Sequence, residues 1–133
     1  MFNLQYQIYR LPQAAAIHNS GWYTFYLINS PDESSLLLLD PSAAEIPAGM
    51  NNGFVFSVKE DQLPMQIKDS LKTFPLFYQN GYGPFPLEKF QQYDVFSLFD
   101  KIASQINTNY VYKDYLLANL ALQLIHFGIK HFT

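Results

Sequence analysis

All eight prolines of this 133-residue chain lie at or before Pro86, and five of its six glycines lie at or before Gly83. From Leu87 onward there is no proline and a single glycine, Gly128. Proline and glycine punctuate turns and interrupt helices. Residues 1–86 therefore read as short strands and turns, and residues 87–133 as helices. The expected fold class is α+β, a β-rich part followed by an antiparallel helix pair. At this length both parts share one hydrophobic core and form one domain, 1–133.

Within the first part, "LQYQIY" (4–9) alternates large apolar residues with glutamine, the pattern of a half-buried strand. The stretch "GWYTFYLI" (21–28) is aromatic and β-branched, and "FVFSV" (54–58) alternates again. "LLLLD" (36–40) is apolar on both faces, as a buried strand is. "NSPDESS" and "PSAAEIPAGMNNG" carry turn chemistry, and a short helix is expected near 64–73. "PLFYQNGYGPFP" (75–86) reads as irregular and aromatic-rich.

Two helices are expected after it. Over 93–106, Phe96, Phe99, Ala103 and Ile106 recur at intervals of three and four. The connection "NTNYV" is short, so the next helix, 112–132, should run back antiparallel. Its polar residues Asn119, Gln123, His126 and Lys130 draw one narrow stripe, and nearly everything else is apolar. A sheet covers only one side of such a helix. Each large side chain left in water forgoes roughly 1.5–3 kcal/mol. The ridge Leu117, Leu120, Leu124 and Phe127, with His131 beside it, is therefore expected at a contact with a second copy of the chain. The alternative is that these residues pack on the chain's own sheet.

Several function classes are disfavoured. The formal charge is −3 and the eight basic residues are scattered singly, a poor match to a phosphate backbone. With no cysteine, the chain has neither disulfide nor thiolate chemistry. His126 and His131 are five apart, about 140° around a helix, and His18 stands alone, so no metal site is expected. Asp94 and Asp100, six apart, face different sides of the first helix and make no acid–base pair. No nucleophile elbow, phosphate-binding loop or dinucleotide fingerprint occurs, and "GYGP" reads as a turn. The expectation is a protein that is not an enzyme. "MFNLQYQIYRLPQ" lacks the basic flank and apolar run of a signal peptide, and the last helix is broken by Asn119, Gln123 and His126. A cytoplasmic protein without a membrane span is expected.

The stretch "FQQYDVFSLFDKIASQINTNYVYKDYLLANLALQLIHFGIKHF" (90–132) resembles the end of the N-terminal regulatory domain of AraC-type transcriptional regulators, of the kind common in Bacteroides-like bacteria. The likeness is carried by "SLFDKI", by a tyrosine-containing turn with "YK", and by the leucine-rich helix after it. It covers the last third of the chain and extends through "LLLLDPSAAEIP", "GFVFSVKED" and "LKTFPLF" over 36–77. The strands around "QIYRLPQ" and "HNSGWYTFYLI" fit it loosely.

The resemblance implies a cupin-like β-barrel followed by a helix pair that dimerises; the abrupt hairpin "INSPDESSLLLL", where the family carries extra strands and a glycine turn, points to a small, shortened or open barrel or sheet. The barrel in such proteins is a small-molecule sensing cup, and its occupancy repositions attached DNA-binding domains. No helix-turn-helix sequence is present in this chain, so DNA would be a partner only through a domain missing from it. The family's His-x-His pattern is reduced to His18, so neither a metal cofactor nor a dioxygenase activity carries over. The expected function is thus the effector-sensing and dimerisation domain of a regulator that works as a homodimer. Trp22, Thr24 and Tyr26, on one strand face, with Tyr6 and Phe56 as neighbours, are the candidate wall for a sugar or metabolite effector. Plain aromatic core is the competing use of the same residues. Other readings are a stand-alone cupin-like small-molecule-binding protein, or a protein-interaction module using the aromatics of 75–86.

Overall fold

Strand β2 (Trp22–Asn29) is the hub of the chain, paired on one side with β3 (Ser34–Leu39) and on the other with β4 (Gly53–Lys59). β1 (Tyr6–Leu11) adds to the outer side of β4, and the two-residue β5 (Phe85–Pro86) adds to β3. The sheet order is β1-β4-β2-β3-β5, and every pairing is antiparallel. Two helices follow, α1 (Lys89–Ser104) and α2 (Lys113–Phe132). This computed structural model describes residues 4–11, 21–29, 33–39, 52–63 and 85–132. The helix expected near 64–73, the "GYGP" turn and His18 lie outside the described residues.

The architecture is α+β, as composition and punctuation require, but the described strands make an open sheet and not a closed barrel. Closure would need β1 to bond to β5. β5 supplies only Phe85 and Pro86, and proline has no N–H to donate to a ladder. β5 itself falls in a stretch expected to be irregular. It forms because Phe85 and Pro86 pair with Leu36 and Ser35, and the Leu87 N–H donates to Ser34 O at 2.9 Å.

Alternation along the strands sorts the side chains onto two faces. The helix-facing side carries Tyr23, Phe25 and Leu27 of β2, Leu36 and Leu38 of β3, and Phe56 and Val58 of β4. Against it pack Val95, Leu98, Phe99 and Ile102 of α1 and Leu117, Leu120 and Leu124 of α2, in a single apolar cluster. Each such side chain, once fully buried, contributes roughly 1.5–3 kcal/mol. Phe25 and Phe56 sit at its centre, stacked with ring centroids 6.1 Å apart and planes inclined by 26°.

α1 starts four residues before the expected Tyr93. Glu88 and Gln91 form a capping box, with the Glu88 N–H donating to Gln91 Oε1 at 2.9 Å, which satisfies the frayed first turn. α2 begins at Lys113 with Asp114 in its first turn, where a carboxylate favours the positive end of the helix dipole. The same carboxylate holds the start of the described chain, since the Leu4 N–H donates to Asp114 Oδ2 at 3.0 Å.

Candidate functional site

The register divides the five residues of the expected effector wall. Trp22, Thr24 and Tyr26 do share one face of β2, the face turned away from the helices. Tyr6 and Phe56 do not join them. Tyr6 is opposite Val58, Phe56 is opposite Phe25, and all four belong to the helix-facing side. Phe56 is wholly buried there and Tyr6 partly so. The neighbours of Thr24 and Tyr26 on their own face are Ser57, Val55 and Leu37, all buried.

On that face the Ser57 hydroxyl donates to Thr24 Oγ1 at 3.1 Å, so two buried hydroxyls satisfy one another across adjacent strands. The Tyr26 side chain is also fully buried. Burial disfavours its phenolate and pushes the hydroxyl pKa up from 10 to about 12. The phenol therefore stays neutral through the physiological range. Trp22, at the strand's start, remains half-buried and is the one member of the trio that reaches solvent.

The leucine ridge of α2 is placed inside the chain. Leu117, Leu120, Leu124 and Phe127 are all buried without any second copy. The physical reason is that they share one apolar cluster with residues of the sheet and of α1, which the apolar circumference alone does not reveal. His131 is half-buried, its ring 4.5 Å from that of Phe127. The polar stripe falls where its spacing puts it, with Asn119, Gln123, His126 and Lys130 exposed. Tyr115 is exposed with them, and Leu122 and Ile129 lie half-buried alongside.

Two features are not among the expected site residues. The turn between the helices carries Tyr110, Val111 and Tyr112, all exposed, and with Tyr115 it makes a tyrosine cluster. The Tyr110–Tyr112 and Tyr112–Tyr115 ring centroids are 5.9 and 6.2 Å apart. The density of aromatics in "NYVYKDY", beside turn residues, was the available signal. Near the start of α1, Phe90 and Tyr93 are also exposed, Tyr93 by 78%.

The second feature is a cleft of about 180 Å³ between one end of the sheet and α1, lined by Leu27, Asn29, Phe54, Phe96, Phe99 and Asp100. Asn29 is held in place there, its Oδ1 accepting from the Ser34 hydroxyl at 3.0 Å. Its own N–H donates to Asn52 O at 2.9 Å. Nothing in the spacing of these six residues foretold the cleft, because they come from three separate elements.

Among the described residues, no three His, Cys, Asp or Glu side chains come together as metal ligands. No helix among them is long and apolar enough to cross a membrane. No protein-family model matches the chain, and no curated protein and no solved structure matches it either.

Proposed function

We propose that this chain is the effector-sensing and dimerisation domain of an AraC-type transcriptional regulator, a cytoplasmic homodimer whose DNA contacts are made by a separate domain. The observation that supports it most is the outer face of α2. Tyr115, Asn119, Leu122, His126 and Ile129 follow one another at intervals of four, three, four and three, the spacing of a coiled-coil seam. None of the five is fully buried in the single chain. The buried leucine ridge is committed to the core, so this outer seam is where a second copy fits. Polar residues such as Asn119 at a seam fix register at some cost in affinity.

Support also comes from the stretch on which the resemblance rests. α1 and α2 share one apolar cluster with the sheet. A ligand that prefers one arrangement of these elements would shift the spacing of two attached DNA readers by ordinary linkage. Trp22, with Thr24 and Tyr26 behind it, is the sensing surface on this reading.

The exposed tyrosine cluster favours a second reading, a protein-interaction module with no small ligand. The gene downstream of the Thr133 codon separates the two. A continuing frame that encodes a helix-turn-helix domain is the expected result. A stop codon directly after Thr133 counts against the regulator and leaves the interaction module standing.

A further inference from the structure

We propose that the cleft between the sheet and α1 binds a compact alkylammonium ion. Three phenyl rings, Phe54, Phe96 and Phe99, line it together with Asp100, which is exposed. Aromatic faces are electron-rich and attract a cation whose methyl or methylene groups can also shed water against them. A carboxylate beside such rings adds a full negative charge, and among the described residues Asp100 makes no hydrogen bond or ion pair. Both contributions have the same sign and favour a cation, against the one positive group nearby among the described residues, the Arg10 guanidinium over Phe54.

Phe54 already receives one cation. The Arg10 guanidinium lies over its ring, 5.0 Å from the centroid. The other polar lining group, Asn29, has its side-chain oxygen engaged by Ser34, and among the described residues no lysine, arginine or histidine lines the cleft. The volume, about 180 Å³, suits a head group of a few carbons and no more. It slightly exceeds a cavity of roughly 150 Å³ that takes up benzene. The site is on the helix-facing side of the sheet, away from Trp22, and does not rest on the regulator reading.

The test uses choline and its neutral carbon isostere, 3,3-dimethylbutan-1-ol, titrated into the full chain while methyl and ring proton shifts are followed by NMR. Choline should perturb the resonances of Leu27, Phe54, Phe96 and Phe99, and bind about tenfold more tightly than the isostere. Asp100→Asn should weaken choline by about tenfold and leave the isostere unchanged. Asp100 is exposed, so this variant keeps its fold, which its melting temperature verifies; Asp100→Ser is a second variant with the same expectation. Equal binding of the two ligands overturns the proposal and makes the cleft a merely apolar one. So does choline binding that ignores both Asp100 variants, or shifts confined to other parts of the chain. Tighter binding of the shape-matched anion 3,3-dimethylbutanoate, lost in Arg10→Gln, would assign the site to anions instead.

Discussion

Replacing Gly53 by alanine should cost the folded chain about 3 kcal/mol or more. Gly53 opens β4 with φ at +134°, a backbone conformation that side chains of L-residues rarely adopt. Space is the larger obstacle. A Cβ at this position would lie 1.7 Å from Leu27 O and 2.8 Å from Leu27 C, both main-chain atoms of the hub strand. Backbone in the middle of a paired strand cannot swing aside as a side-chain tip can. Relief therefore requires β4 to separate from β2 at the Gly53–Ile28 pair. Gly21 supplies the control. Its φ is also positive, at +88°, but nothing lies within 4 Å of a built Cβ. Gly21→Ala should cost only the backbone term, roughly 1–2 kcal/mol. Urea unfolding followed by far-UV circular dichroism measures both. Equal losses in the two variants would contradict the close approach at Leu27 as the larger obstacle.

Phe56→Ala should be the most damaging of the substitutions in the expected effector wall, at about 3–5 kcal/mol. Its ring is fully buried on the helix-facing side and stacked on Phe25. Truncation removes the stacking partner and leaves a void between sheet and helices, where packing on both sides prevents collapse. Trp22→Ala, half-buried on the other face, should cost clearly less. Midpoint shifts in the same unfolding assay rank the pair. A Phe56 variant that unfolds like the parent chain would place that residue at a surface and return it to the effector wall.

Much of the sheet was legible because its strands announce themselves locally. Alternation in 4–9 and 54–58 and the aromatic, β-branched run in 21–28 each mark a strand to within two residues at either end. The boundary of α1 was missed because its cap is Glu88, where serine, threonine, aspartate or asparagine is the usual signal. β5 was missed because a Phe-Pro pair has no strand pattern of its own and exists only by pairing with β3.

Site residues were harder to read, for a reason rooted in geometry. Alternation correctly puts Trp22, Thr24 and Tyr26 together, since they share one strand. Whether Tyr6 and Phe56 join them depends on the register between strands, and a shift of one residue exchanges the faces. Likewise, helical spacing gathers Leu117, Leu120, Leu124 and Phe127 into one ridge. It does not say that sheet and α1 already cover that ridge. The cleft at Asp100 is further removed still, being a product of where α1 lies across β2 and β4.

That α2 presents its outer seam to a second copy is the claim on which the regulator reading most depends. Sedimentation equilibrium of the chain at tens of micromolar, with Leu122→Glu beside it, tests it most directly. Leu122 is half-buried, so a glutamate there can reach water in a monomer, but it meets the partner helix in a paired seam. The parent chain should sediment at twice the 15.4 kDa of one chain, and the variant at that mass once. A parent chain that remains at 15.4 kDa at these concentrations, or a variant that pairs as well as its parent, would contradict the account.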